Sequence, residues 1–335
     1  MGETQTMSNE AILRLLIETP DYVSGERMCE ALGISRAAVW KRISALREQG
    51  YEIEAKTNRG YRLLKSPDTP TAQAVLPLLQ SKDFCQQIIY LDEIDSTNSH
   101  LKQLAAVGAP HGTVVIANAQ TGGRGRMGRP FVSEAGKGLF LSLLLRPSGE
   151  ALRNVTTLTS LTAVCVCEAI QSLTGVESSI KWVNDILVDD RKICGILLEM
   201  SMVAELGQVD YVVVGIGINV HYQPEDFPIE LRERVTSLAM LTENPVSRAK
   251  LAAELTDRLG QMSASLADPA DYVARYRARS TTVGREILVL RGDESRPAFA
   301  EAIGDDCGLH IRYPDGEREV LYYGETSIRG THGYV

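Results

Sequence analysis

A chain of 335 residues and 36.7 kDa is long enough for two or more domains with sizeable cores. Its 44% hydrophobic and 23% charged residues are an ordinary globular composition, and no run approaches the ~18 apolar residues of a membrane span. A net charge of −8 argues against a surface that binds nucleic acid indiscriminately. The six cysteines, none in a C-x-x-C pair, fit buried thiols in a reducing cytoplasm rather than a zinc site or disulfide framework.

Residues 11–17 read as a short amphipathic helix, and a second is predicted over 24–31, stopped by Gly33. Ser35 is an N-cap for a third helix over 36–49, with Gly50 at its end. In that helix Val39, Ile43 and Leu46 fall at i, i+4 and i+7 and form the apolar face, which turns Trp40 and Lys41 outward beside Arg36 and Arg47. Two short extended runs follow, 51–55 and 60–64, joined by the basic tip Lys56-Thr57-Asn58-Arg59. Helix, turn, helix and β-hairpin describe a winged helix-turn-helix over residues 1–65, with Ser35, Arg36, Trp40, Lys41 and Arg59 as candidate DNA contacts. From Gly33 to Lys65 eight basic residues stand against three acidic ones, a local reversal of the chain's charge.

Ser66-Pro67-Asp68-Thr69-Pro70 opens a linker over 66–83 that holds a short helix. The next segment, 84–282, begins with a strand over 87–93 that runs into Asp95-Ser96-Thr97-Asn98, a helix N-cap. Two apolar runs, 113–117 and 139–145, then flank Gln120-Thr121-Gly122-Gly123-Arg124-Gly125-Arg126-Met127-Gly128-Arg129-Pro130-Phe131. Glycines here let the backbone take φ > 0 and bring N–H groups close to a ligand, and forked guanidiniums match phosphate or carboxylate, so the loop reads as one that folds around an anion. Gly123, Gly125 and Gly128 also spell G-x-G-x-x-G, but Pro130-Phe131-Val132 and a strand follow instead of a helix, which is poor dinucleotide context.

A long apolar-faced helix is predicted over 154–173, with Cys165 and Cys167 in its packing. Lys181, Asn184 and Asp185 interrupt the strand-like run 179–188, and buried charge there needs a partner. Asp189-Asp190-Arg191-Lys192 turns back into a strand over 193–199, putting Lys192 at its start as a lone cation. The strand over 211–215 leads into Gly215-Ile216-Gly217-Ile218-Asn219-Val220, where small residues would admit a flat ligand. Strands grouped in a mixed sheet with helices to one side suggest an α+β unit. Short strands over 283–290, 298–303, 309–313 and 319–323, separated by Gly/Asp turns, read as a small SH3-like barrel over 283–335.

Asp95-Ser96-Thr97-Asn98, the Gly-Arg-Gly-Arg-x-Gly-Arg loop, Lys-Trp-x-Asn-Asp, Arg-Lys-x-x-Gly-Ile-Leu and Gly-Ile-Gly-Ile-Asn-Val occur in the order found in biotin protein ligases. With the N-terminal winged helix, nearly the whole chain resembles the bifunctional bacterial form, an AMP-forming biotin–[acetyl-CoA-carboxylase] ligase that also represses biotin-synthesis genes. The resemblance implies biotin and ATP as substrates, Mg²⁺, a biotin carboxyl carrier protein as acceptor, operator DNA, a homodimer when adenylate is bound, and no membrane.

By motif, it implies that Ser96, Thr97 and Gln120 bind the ureido end of biotin, with Asn98, Gly123, Arg124, Gly125, Arg126, Lys192 and Gly215 completing that pocket. Arg126, Arg129, Phe131, Lys181, Asn184 and Asn219 fall to ATP and the adenylate. Lys192, with Arg124, Arg126 and Asp185, carries the catalytic assignment, and Asp185 is the metal candidate. Whether Asn184 and Asp185 position Mg²⁺, phosphate or the incoming lysine stays open, as does the choice between a ligand-binding and a merely stabilising C-terminal unit. Three positions depart from the family pattern: Met127 for an arginine, Phe131 for a tryptophan and Val183 for a proline. Two competing readings are a biotin-sensing regulator with a decayed ligase and a lipoate or octanoate ligase. Intact Lys192, Arg124, Arg126 and Asp185 speak against the first. The arginine–glycine loop and the DNA-binding unit favour biotin over the second.

Overall fold

The computed structural model describes residues 2–81, 83–85, 87–203, 208–292, 294–322 and 326–330. The first unit contains α1 (Gly2–Glu18), α2 (Gly25–Leu32), α3 (Arg36–Glu48) and the antiparallel hairpin β1 (Glu52–Lys56) and β2 (Gly60–Lys65). Ser24 Oγ caps α2 by accepting from Arg27 N (3.1 Å), Gly33 ends it at φ 63°, and Ser35 Oγ caps α3 by accepting from Ala38 N (3.2 Å). Val39, Ile43 and Leu46 are buried with Ile12, Leu13, Leu16 and Met28 in a small core of their own, as the α3 periodicity requires.

The linker is docked rather than free. It carries α4 (Ala72–Val75) and a 3₁₀ turn, Leu76–Leu78, and it buries Ala74, Val75 and Leu79 in the core of the next unit. Asp68 accepts from Arg248 N (2.8 Å) and Arg248 Nε and faces His221 Nε2 at 3.3 Å; Arg248 itself is 4% exposed.

The central unit runs β3 (Ile88–Ile94), α5 (Thr97–Ala106), β4 (Val114–Gln120), β5 (Gly138–Leu145), α6 (Leu158–Thr174), β6 (Ser179–Lys181), β7 (Asp185–Val188), β8 (Arg191–Val203), β9 (Gln208–Asn219), α7 (Leu238–Leu241), α8 (Arg248–Ala264) and α9 (Ala270–Arg279). Its strands form one mixed sheet in the order β3-β4-β5-β9-β8-β7-β6, with β3 and β4 parallel and the other pairs antiparallel. One face presents Leu139, Leu141, Leu143, Val212, Val214, Ile216, Cys194 and Ile196 to α6 and α8. The other packs Val115, Leu144, Tyr211 and Val213 against Leu101 and Ala105 of α5, so all eight residues of β5 are buried. The predicted helix over 154–173 begins as a 3₁₀ segment, Gly149–Thr157, and becomes α-helical only at Leu158. The stretch Gly149–Thr174 is apolar enough to cross a membrane by composition, but 78% of its most apolar window is buried in this core.

The last unit is an antiparallel sheet in the order β13-β12-β11-β10-β14, built from β10 (Glu286–Arg291), β11 (Glu294–Ile303), β12 (Leu309–Arg312), β13 (Arg318–Leu321) and β14 (Thr326–Gly330). Its buried Ile287, Val289, Ala300, Leu309 and Ile311 belong to the same apolar cluster as the central sheet. The predicted strand over 319–323 ends at Leu321, and Tyr323 lies outside the described residues.

Candidate active site

Beyond the part covered by α5, the same sheet face carries Ser142 of β5, Gly215 and Gly217 of β9, and Gly195, Leu197 and Glu199 of β8. Gly195 and Gly217 are cross-strand partners. A Cβ on Gly217 would stand 2.6 Å from Phe131 Cε1, and one on Gly195 would stand 3.0 Å from Lys192 Nζ and 3.4 Å from Phe131 Cε2. The glycine pair is thus a floor on which the Phe131 ring and the Lys192 amine meet. Phe131 also packs edge-on to Phe140, with centroids 6.4 Å apart.

Gly215 does not offer its space to a flat ligand. A Cβ there would collide with the Asn98 amide, so the protein's own side chain occupies the gap the sequence had left for substrate. Asn98 Nδ2 donates to Glu199 Oε2 (2.8 Å) and Leu197 O (3.3 Å), and its Oδ1 lies 2.6 Å from Ser142 Oγ. Thr97 N donates to Gln120 Oε1 (2.9 Å), Gln120 Nε2 to Ser133 Oγ (3.1 Å), and Ser133 Oγ to Phe131 O (3.0 Å). Ser96 caps α5, accepting from Ser99 N at 3.4 Å, which fixes the first turn that carries Thr97 and Asn98.

The glycine–arginine loop is folded back on itself. Phe131 N donates to Gly123 O (2.9 Å) and Gly125 N to Arg129 O (2.8 Å), with Arg124 and Pro130 bridged between them. The left-handed positions are Met127 (φ 56°) and Gly128 (φ 69°), not Gly123. Gly123 is required for a different reason, since a Cβ would stand 2.5 Å from Ser133 Oγ and 2.7 Å from Phe131 O. Arg124 Nη2 donates to Ser99 Oγ (3.2 Å) and lies 3.9 Å from Glu199 Oε1. Arg126 Nη1 donates to Asn184 Oδ1 (3.3 Å); burial pulls the Arg126 guanidinium below its ordinary pKa, while the Asp185 carboxylate works against that. Arg129 is exposed.

The run 179–188 is two strands, because a turn over 182–184 separates β6 from β7. Lys181, 6% exposed, stands in register opposite Asp185. Asp185 Oδ1 accepts from Lys192 Nζ at 2.6 Å, so Lys192 is paired rather than alone. Backbone bonds from Lys192 N to Arg234 O (2.8 Å) and from Thr236 N to Lys192 O (2.9 Å) fix its strand. Asn219 holds Thr236 O through Nδ2 (3.0 Å), one step removed from the lysine. Trp182 ties the site to the last sheet, donating from N to Thr282 Oγ1 (2.9 Å) and from Nε1 to Cys307 O (3.0 Å).

Gln120, Thr97, Ser96 and Asn98 therefore gather at one end of the floor, and Arg126, Asn184, Asp185 and Lys192 at the other. Sequence reasoning missed Ser142, Ser133, Glu199 and Lys102. Ser142 had a signal: it is the one polar residue in the strand Gly138–Leu145.

On the first unit, Arg36, Trp40 and Lys41 form the outer face of α3, with Trp40 64% exposed. Arg59 lies at the hairpin tip, ion-paired to Asp21 at 3.0 Å and over the Tyr22 ring at 4.5 Å.

The biotin/lipoate A/B protein ligase family model matches residues 90–219, and a helix-turn-helix model matches 9–62. The bifunctional ligase/repressor BirA of Bacillus subtilis is 44% identical over 229 residues, 68% of this chain and 70% of that protein. BirA of Escherichia coli is 29% identical over 328 residues, 94% of this chain and 95% of that protein. A biotin protein ligase from Aquifex aeolicus, solved with biotin and ATP, superposes with a TM-score of 0.63 at 28% identity, covering 73% of this chain and all of that one. The chain belongs to the biotin protein ligase family, in its bifunctional ligase/repressor form.

Proposed function

We propose that this protein activates biotin with ATP, transfers it to a lysine of a biotin carboxyl carrier protein, and represses biotin-synthesis genes when biotin is plentiful. In the first step a biotin carboxylate oxygen bonds to the α-phosphorus and the bond to pyrophosphate breaks. In the second the acceptor amine attacks the acyl carbon, AMP leaves, and the amine gives up a proton. Both anions of the first step repel one another, so fixed cations are what the site must supply.

The convergence of Lys192, Asp185, Asn184 and Arg126 over the Gly195–Gly217 floor carries this reading. An ammonium has three N–H donors. Asp185 engages one, which orients the amine and leaves two for the biotin carboxylate and the α-phosphate. Arg126, with Arg129 and Lys181, balances the remaining phosphate charge, and Arg124 with Gly125 holds the loop over the ligand. Phe131 covers the adenylate and excludes water from the anhydride. Ser96, Thr97 and Gln120 take the ureido end, with Asn98 packed behind them; Gly123 and Gly215 act by letting Phe131, Ser133 and Asn98 come close. Asn219 supports the lysine strand through Thr236.

Mg²⁺ fits as a companion of ATP. Such ions use one or two carboxylates plus substrate phosphates, and Asp185 can provide the carboxylate; among the described residues no group of three or more His, Cys, Asp or Glu could cage a metal alone.

Segments 1–65, 66–83, 84–282 and 283–335 then serve as DNA-binding unit, docked linker, ligase and an SH3-like closure of the C-terminal sheet. Ser35, Arg36, Trp40, Lys41 and Arg59 meet operator DNA, and a homodimer forms when adenylate is bound. Use of ATP fits a cytoplasmic protein. Incubation with biotin, lipoate or octanoate, plus ATP and an apo carrier domain, tests the ligase half by mass. Modification by biotin alone is expected, and no modification would overturn it.

A further inference from the structure

Glu199 has no role in the reaction as described, yet it anchors one end of the pocket. Its carboxylate accepts from Lys102 Nζ (2.6 Å) and Asn98 Nδ2 (2.8 Å). Burial works to raise its pKa, but the hydrogen bonds from Lys102 and Asn98 outweigh it and hold the group below its ordinary value. An ionised carboxylate can only accept.

A primary amide has two opposite ends, and its neighbours decide which way it points. Asn98 Nδ2 faces Glu199 Oε2 and Leu197 O; turned round, its carbonyl would oppose a carboxylate and a carbonyl. Oδ1 is therefore the atom 2.6 Å from Ser142 Oγ, and having no proton to give, it must receive the serine's. Ser142 has only that one proton. The 2.7 Å line between Ser142 Oγ and Thr97 Oγ1 then carries the threonine's proton. With its proton so engaged, Thr97 Oγ1 meets any further group as an acceptor. Gln120 Oε1, 3.1 Å away, is served instead by the Thr97 N–H at 2.9 Å. Ser142 is 0% exposed and Thr97 and Asn98 4% each, so bulk water cannot reset the sense of the chain.

We propose that Glu199 is a positioning residue for ligand recognition. Through Asn98 and Ser142 it fixes the Thr97 hydroxyl as an acceptor, so the pocket takes an N–H of a cyclic urea there and rejects an oxygen. This rests on the reading of Thr97 as a ureido contact.

The test compares biotin with its two carbamate analogues, in which one or the other ureido N–H is replaced by oxygen, with KM and kcat read from pyrophosphate release. Wild type should prefer biotin over one of the analogues by about tenfold or more in KM, the scale of one buried hydrogen bond lost. In Glu199→Gln the side-chain amide can present either end to Asn98, so most of that preference should vanish while kcat with biotin stays within about threefold. Ser142→Ala cuts the same chain further along and should lose the preference too, which keeps the test alive if Glu199→Gln folds poorly. Lys102→Met removes a charge but leaves the carboxylate, and should keep it. A preference that survives in Glu199→Gln or Ser142→Ala, or is lost in Lys102→Met, overturns the relay. No preference in wild type overturns the reading of Thr97 itself, a distinguishable failure.

Discussion

Lys192 Nζ stands 2.6 Å from Asp185 Oδ1, joined across the β7–β8 pair. A lysine held this way arrives at the reaction already oriented, and needs no search for its place when two anions enter. Lys192→Ala should lose adenylate formation on the order of 10²-fold or more. Asp185→Asn removes the orienting partner and the carboxylate offered to Mg²⁺ but keeps the lysine, and should cost less in that step. The check is pyrophosphate release in a single turnover. Near wild-type release from Lys192→Ala would remove this lysine from the mechanism.

In the loop, the decisive contact is between Gly123 and the strand it faces. Its backbone is not left-handed, so Gly123→Ala is tolerated by φ and ψ, but the new methyl would press on Ser133 Oγ and Phe131 O. That should break the Phe131 N to Gly123 O closure and lift Phe131 from its glycine floor. Biotinyl-AMP should then escape about tenfold faster, in line with the cost of a displaced lid. An unchanged lifetime of the complex in the absence of acceptor would show that closure does not depend on this residue.

What was readable in the sequence was whatever chain-local chemistry dictates. Ser35 and Ser96 cap the helices they were read to cap, and Val39, Ile43 and Leu46 are buried on one face. What could not be read depends on residues distant in the chain. Gly215 looked like room for a ligand because nothing in its neighbourhood of sequence reveals that Asn98 fills it. The break between β6 and β7 was hidden by a run whose composition suits a continuous strand. Lys192 read as solitary because Asp185 is seven residues away, close only once the hairpin forms.

Asp68 and Arg248 join the linker to the central unit, and this contact is pH-sensitive in a defined direction. Burial works to raise the Asp68 pKa, but the hydrogen bonds from His221 and Arg248 outweigh it and hold it at about 2. A depressed carboxylate stabilises the fold above its unfolded pKa of about 3.9 and loses that contribution as pH falls toward its folded value. Asp68→Asn should therefore destabilise the protein at pH 7, by about 1 kcal/mol once solvent screening of the partly exposed carboxylate is allowed for, since it leaves the buried Arg248 with a weaker partner. The difference from wild type should shrink as pH falls from about 4 to about 2. Urea unfolding across that range is the measurement, and a difference independent of pH would show that the carboxylate charge is not what matters.

On the DNA side, Trp40 makes little of the core, so Trp40→Ala should leave ligation and stability intact and weaken operator binding by about 1–3 kcal/mol. Arg59 is more telling. Its ion pair with Asp21 competes with phosphate, and Asp21→Asn should both tighten binding and steepen its salt dependence. Arg59→Ala should make that dependence shallower by about one unit of slope. Salt titrations of operator binding decide it; a slope unmoved by either change would take Arg59 off the DNA.

The remaining prediction links the two ends of the chain. One winged helix covers one half-site, and specific binding calls for two related by symmetry. The central sheet has an edge suited to that symmetry. β8 is 13 residues long, but β7 pairs with it only from Arg191 to Gly195, so among the described residues Leu198–Met202 pairs on the β9 side alone. Met202 at that edge is 55% exposed. By contrast, the outer side of β6 is bridged at Ile180 by Ser280, and β3 carries Asp92 and Glu93, whose like charges would oppose one another across a two-fold pairing. The open stretch of β8 includes Glu199, which approaches Arg124 of the loop and Asn98 of the pocket, so any ordering of the loop by biotinyl-AMP would be transmitted to this edge. A ligand that binds the ordered state better shifts the population toward it, and with it toward the dimer. Sedimentation with and without biotin plus ATP should show monomer becoming dimer, and operator affinity should rise in parallel. Met202→Lys places a charge on the pairing edge, far from Lys192, and should prevent both changes while ligation proceeds normally. If the mass and the DNA affinity ignore the adenylate, regulation does not run through dimerisation; if Met202→Lys dimerises like wild type, the contact lies on another surface.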